Sequence, residues 1–335
     1  MGRKRKNGPD WFINNTELRR VSYAKSGYEY YPRDGGAIRL SGLDASERVV
    51  VAAYEKALLS ESSESNSFAQ LIADYLASGE FHKKKQSTKK VNLTYAEKVK
   101  KVFGKMDRKH IKPVHIRQYM DLRGKTAEVQ ANREYSFMSS VFSWGYERGK
   151  VNMNPCKGIR KFSEKPRDRY ITDDEYNALL KASEKKPLLW AFIEIAYCCA
   201  ARQGDVWNLT REQLRDEGIF IQQGKTGIRQ IKAWNPRLRK ALDLALDQQK
   251  VRSFKHVFCL PDGQRPAQQT MYKWFKKAQI SAEENTGLKM NFTFHDIKAK
   301  AISDYEGDKK AFSGHLTDKM ADKYDLLPKL VPTLE

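Results

Sequence analysis

Cysteine is scarce: four in 335 residues, Cys156, Cys198, Cys199 and Cys259, with no Cys-x-x-Cys pair. That spacing argues against a zinc ribbon and against a disulfide framework. Cys198 and Cys199 lie in an apolar, helix-like run, as expected of buried free thiols in a reducing compartment. Long apolar runs are missing too, and the basic start Met1-Gly-Arg-Lys-Arg-Lys has no apolar segment behind it. Neither a membrane span nor a secretory signal is expected, which places the protein in the cytoplasm. There is no internal repeat. Acid is in deficit: 41 Asp and Glu face 62 Lys and Arg, a formal net charge of +21 and a pI near 9.6. A surplus of that size implies a polyanionic partner, with nucleic acid ahead of an anionic membrane because no long amphipathic basic helix flanked by aromatics is present. A merely soluble basic protein is the bland alternative.

What is present reads as two or three compact units. Residues 1–60 form a small β-rich module. Its aromatic runs Ser22-Tyr-Ala-Lys and Tyr28-Glu-Tyr-Tyr are broken at Ser26-Gly27, and an Asp34-Gly35-Gly36 turn leads to Ala37-Ile-Arg-Leu and then a helix through Val49, Val50, Ala53 and Leu58. Three strands and a helix with exposed Arg and Tyr suit a sheet lying against DNA. The polar stretch at 60–67 is the first expected linker. Helical periodicity dominates residues 64–160: Phe68, Leu71, Ile72, Tyr75 and Leu76 share a face, helices follow at 95–103 and 116–122, and a long one spans 128–148. Residues 160–169 form a second linker. In 166–335, Thr172-Asp-Asp-Glu175 is a capping box, 187–201 an apolar helix, 218–233 a hairpin with Gly224-Lys-Thr-Gly227 at its tip, and helices follow at 236–250, 268–282, 295–305 and 317–324.

Several features of this last region fall in a fixed order: Arg202-Gln-Gly-Asp205 closing the apolar helix, Lys225 at the hairpin tip, His295-Asp-Ile-Lys298, Ser313-Gly-His315 and Tyr324. Together they resemble the catalytic domain of the tyrosine recombinases, the phage integrase family, and are similar to integrases of lambda-like temperate phages. Asn132-Arg-Glu, Phe142-Ser-Trp-Gly-Tyr-Glu-Arg-Gly, Asn154-Pro155 and Arg169-Tyr-Ile-Thr-Asp-Asp-Glu175 look like the core-binding domain and domain junction of such integrases, and the first module like their arm-binding domain. The resemblance implies a mainly α multidomain protein: a β-rich arm-binding domain (1–60), an all-α core-binding domain (64–160) and an α+β catalytic domain (166–335). It further implies an enzyme that cuts and rejoins DNA through a covalent 3′-phosphotyrosyl link to integrate and excise a phage genome, acting as a homotetramer on core and arm sites. A host bending protein and an excision directionality factor are possible helpers.

By the same resemblance Tyr324 is the nucleophile, with Arg202, Lys225, His295, Lys298 and His315 around it. The chemistry fits these residue types. Phosphoryl transfer is a matter of positioning and charge stabilisation, so no metal or cofactor is expected. Arg202 can fork two phosphate oxygens, Lys225 can protonate the leaving oxygen, His295 can accept the tyrosine proton or hold the phosphate, and His315 can donate to it. Asp205 is expected to orient neighbours. Lys298 departs from the family, which has Arg there. It keeps the charge and loses the fork, at a cost of about ten- to a hundred-fold in rate. Lys298 is expected to touch the phosphate still, with Lys300 on another helix face. The basic runs at 83–90, 98–105 and 108–112 suit phosphate contacts, and residues 3–6 a flexible basic arm. The alternatives are a transposon-type or resolvase-type recombinase, a topoisomerase of type IB, and a relic that only binds DNA.

Overall fold

The computed structural model describes residues 7–32, 36–165, 167–251, 255–328 and 333, with backbone alone at 59–65. The basic arm at 3–6, the Asp34-Gly35 turn, Pro166 and most of the tail beyond Pro328 lie outside the described residues. The chain forms two compact units, Met1–Glu164 and Lys165–Glu335.

The first unit holds two separate hydrophobic cores. One belongs to a short helix α1 (Asp10–Asn14), an antiparallel sheet of β1 (Val21–Ala24), β2 (Gly27–Tyr30) and β3 (Ile38–Ser41) in that order, and α2 (Glu47–Ser65). Its tyrosines behave differently from expectation. Tyr28 and Tyr30 are fully buried rather than exposed, because they supply the aromatic bulk of a very small core: Tyr28 packs edge-on to Phe12 and Tyr30 to Tyr54. Tyr31 and Arg39 remain on the open side. The expected linker at 60–67 is also corrected. Residues 60–65 continue α2, in which no Gly or Pro interrupts the helix from Glu47 to Ser65.

The second core is all helical: α3 (Phe68–Ala77), α4 (Gly79–His82), α5 (Gln86–Phe103) and α6 (Pro113–Glu147). Ser67 caps α3 by accepting from the Gln70 amide at 3.1 Å, and Phe68 stacks on Phe142 of α6 at 4.4 Å. The two helices expected at 116–122 and 128–148 both form: they are the two arms of α6, separated by a kink at Ala127, whose backbone is non-helical at φ −159° and ψ 72°. Residues 86–90 of the basic segment at 83–90 form the start of α5.

The second unit is built round α8 (Pro187–Cys198), buried among α7 (Asp173–Ser183), α10 (Pro236–Asp247), α11 (Gln268–Thr286) and α12 (Phe294–Asp304). The capping box is in place, with Glu175 N donating to Thr172 Oγ1 and Thr172 N to Glu175 Oε2. α9 (Gln203–Trp207) follows α8 at once. β4 (Gly218–Gln222) and β5 (Arg229–Ala233) make the hairpin, paired from Gly218↔Ala233 to Gln222↔Arg229. α11 runs four residues past its expected end, to the left-handed stop at Gly287. Two short helices close the unit: α13 (Lys309–Ser313), which sequence periodicity did not suggest, and α14 (Asp318–Asp322). Among the described residues no helix is long and apolar enough to cross a membrane.

Candidate active site

The nucleophile candidate is held by its backbone first. Tyr324 follows α14, its amide donating to the Ala321 carbonyl at 2.8 Å. Its own carbonyl accepts from the Ser303 hydroxyl of α12 at 2.9 Å, and the same hydroxyl accepts from the Leu326 amide. Lys309 adds a bond to Asp325 at 2.7 Å. The phenol is thereby presented, half-buried, with its hydroxyl 3.1 Å from His295 Nε2. His295 opens α12, whose first turn is fixed by the reciprocal Thr293–Asp296 capping box. On the other side the His315 ring lies nearly parallel to the tyrosine ring, centroids 4.8 Å apart. His315 Nδ1 is 2.8 Å from Ser313 Oγ. A serine proton given to Nδ1 leaves Nε2–H free to point outward.

Arg202 reaches this group through a sharp backbone reversal. α8 ends on bonds from Ala200 N to Tyr197 O and Ala201 N to Ala196 O. Between them Ala200 is left-handed, at φ 46°. The reversal puts Arg202 at the N-cap of α9, half-buried, with Nη1 donating to Gln223 Oε1. Ala200 itself packs with Ala301 and Ile302 beside Tyr324 and Phe312. Asp205, one turn into α9, accepts from the Gly224 amide at 2.9 Å and so holds the hairpin tip, while its second oxygen is buried with no hydrogen-bond partner. Lys225, next in the chain, is exposed at that tip. Lys298, on the third residue after His295, is 1% exposed, and its ammonium donates to the Ser313 carbonyl at 3.1 Å. All seven residues singled out from the sequence thus lie in one unit.

The electrostatics of the cluster are those of cations waiting for an anion. Burial pushes the Lys298 pKa down to about 7, helped by Arg202 and Lys232 and opposed by Asp205. Burial, with Lys298 and Arg202 next, takes His315 down to about 4. His295 is also lowered, by burial and then by Lys298. Both imidazoles are therefore neutral at pH 7, and His295 can take a proton from the hydroxyl it touches. The arrangement can deprotonate a phenol and stabilise a phosphorane-like anion.

Some contributors carried no sequence signal. Ser303, buried and bonded to the Tyr324 backbone, reads in the sequence as an ordinary helix residue. Gln223, buried beside Arg202, reads as a strand end. Lys300, set aside on another helix face, is occupied with Asp173, Asp304 and Tyr170.

Comparison with known proteins now adds to this geometry. The model of the phage integrase family matches residues 169–306. A lambda integrase dimer bound to a COC′ core site has TM-score 0.68 at 18% identity, over 99% of this chain and 99% of that one. The lambda integrase (75–356) dimer on the same kind of site gives 0.67 at 20% identity, over 80% and 99%. The Tn1549 transposon integrase (82–397) with circular intermediate DNA gives 0.64 at 14%, over 78% and 96%. No curated protein matches this sequence. At these identities the structural likeness is one of fold: a mainly helical multidomain protein with small antiparallel sheets.

Proposed function

From the premise that the chain belongs to the phage integrase family of tyrosine recombinases, enzymes that cleave and rejoin DNA, we propose that it is a site-specific integrase that inserts and excises a phage or prophage genome. The observation that carries this is the Tyr324 hydroxyl 3.1 Å from a neutral imidazole, inside a group of cations with no carboxylate pairing Arg202, Lys225 or Lys298 among the described residues.

In the proposed first step His295 accepts the Tyr324 proton and the phenolic oxygen attacks a DNA phosphorus. Arg202 forks the non-bridging oxygens, and His315 and Lys298 add donors. Lys225, on its exposed tip, gives a proton to the departing 5′-oxygen. One P–O bond forms and one breaks, so the 3′-phosphotyrosyl link conserves the bond energy and a second 5′-hydroxyl reverses the step. The charge of +21 suits the polyanionic substrate.

Residues 1–60 then serve as an arm-site binder, 64–160 as a core-site binder and 166–335 as the catalytic domain, in a protein that binds two classes of site and assembles as a tetramer on DNA. The decisive experiment uses a bound site recovered from a random duplex pool and nicked beside the scissile phosphate. The wild type accumulates a covalent adduct through Tyr324, and Tyr324→Phe binds equally well and forms none. Binding without an adduct in the wild type overturns the enzymatic reading in favour of a DNA-binding relic.

A further inference from the structure

Gln223 takes no part in the steps above, yet its side chain is used at both ends. It lies just past β4 and is 4% exposed. Its Oε1 accepts from Arg202 Nη1 and from Thr226 Oγ1, the latter at 3.0 Å, and its Nε2 donates to the Ser313 carbonyl at 2.8 Å. The partners fix the orientation of the amide, because a guanidinium only donates and a carbonyl only accepts.

The rest of the hairpin repeats the gesture. Gln230 donates to the Ala311 carbonyl and Lys232 to that of Phe312. Three successive carbonyls at the end of α13, where a helix leaves such groups without partners of its own, are each bound by a hairpin side chain. Gly314 comes next, left-handed at φ 62°, and any Cβ there would collide with Gln223 and Gln230. His315 follows directly. The Gln223 amide is therefore the shared point between the arginine expected to grip phosphate, the hairpin that carries Lys225, and the segment that carries His315 and leads to Tyr324.

We propose that Gln223 is a positioning residue for DNA cleavage: it locks the Arg202 guanidinium and the α13 end into one geometry before substrate arrives. The inference rests on the reading of this cluster as the cleavage centre. A buried amide satisfied at both ends is rigid, and preorganised donors need no rearrangement as charge develops. A displacement of the order of 1 Å in such a group lowers the rate on the order of 100-fold.

Two variants of the full chain separate the contacts. Gln223→Met fills similar space and loses all three hydrogen bonds. Gln223→Glu retains the acceptor for Arg202, surrenders the donor to Ser313 and adds a carboxylate that pairs with the guanidinium. With the nicked duplex at saturation and rates taken per folded molecule, Gln223→Met is expected to slow adduct formation by on the order of 100-fold with DNA Kd close to wild type, and Gln223→Glu, whose carboxylate also competes with phosphate for Arg202, to slow it at least as much. Adduct formation by Gln223→Met within about threefold of wild type, or by Gln223→Glu at the wild-type rate, overturns the proposal. A wild-type chain that forms no adduct condemns the underlying cleavage reading instead, so the two failures are distinct.

Discussion

Lys298 and Lys300 stand two residues apart on α12, each 1% exposed, and their surroundings treat them in opposite ways. Lys300 meets Asp173 at 2.6 Å, Asp304 at 3.0 Å and the Tyr170 hydroxyl at 3.2 Å, and these partners raise its pKa against the effect of burial. Lys298 has one carbonyl, two cationic neighbours and a pKa near 7. The fold neutralises the first ammonium internally. It leaves the second uncompensated, a costly state unless a charge from outside completes it. An ion pair that closes on itself is complete within the scaffold; a buried cation without one can still take up an anion from outside.

The comparison is tested hardest at Lys225, the most exposed of the uncompensated cations. Lys225→Ala should slow adduct formation by about 10²- to 10⁴-fold, the usual worth of a general acid. A substrate whose leaving atom is sulfur needs no proton and should recover most of that loss; no recovery would sink the acid assignment while leaving a phosphate contact possible.

Lys298 comes next. Lys298→Ala should cost about 10- to 100-fold in cleavage, and wild-type cleavage in that variant would remove Lys298 from the site. Its pKa gives a second readout. Below pH 7 the group is charged in folded and unfolded chains alike. Between about 7 and its ordinary value of 10.5 the unfolded chain holds a proton that the folded chain lacks, so folding stability rises with pH across that window. Phosphate binding favours the charged form, so cleavage at subsaturating DNA should decline as pH passes 7, and Lys298→Arg should push that decline upward. An identical alkaline limb in both proteins would separate Lys298 from the chemistry.

The smallest effect on chemistry belongs to Lys300. Lys300→Met takes the cation from Asp304, which keeps the Tyr170 and Tyr197 hydroxyls, and should lower stability by about 1–3 kcal/mol, read as a fall in denaturation midpoint. Cleavage per folded molecule should stay at the wild-type rate. A large catalytic loss at full folding would erase the distinction between the two lysines.

How much of this could be read in the sequence depended on range. Tyr324, His315, His295 and Arg202 sit in short motifs whose order and spacing are visible in one dimension, and the Thr172–Glu175 capping box is wholly local. Gln223 and Ser303 act on groups 90 and 21 residues away, which no local pattern encodes. α13, at five residues, is too short for a helical period to show. In four-residue strands the alternation fits either face, so the burial of Tyr28 and Tyr30 had to come from the core they fill. At 60–65, polar composition suggested a break that the absence of Gly and Pro denied.

Ala200 carries a consequence of its own. A left-handed L-residue costs roughly 1–2 kcal/mol, and the site retains one where glycine would be free. Ala200 forms a small cluster with Ala301 and Ile302, and Tyr197, Phe312 and Tyr324 pack against that cluster. The methyl group that costs the backbone its freedom is thus part of the apolar bed under three aromatic rings, Tyr324 among them, and glycine would relieve the turn while thinning that bed.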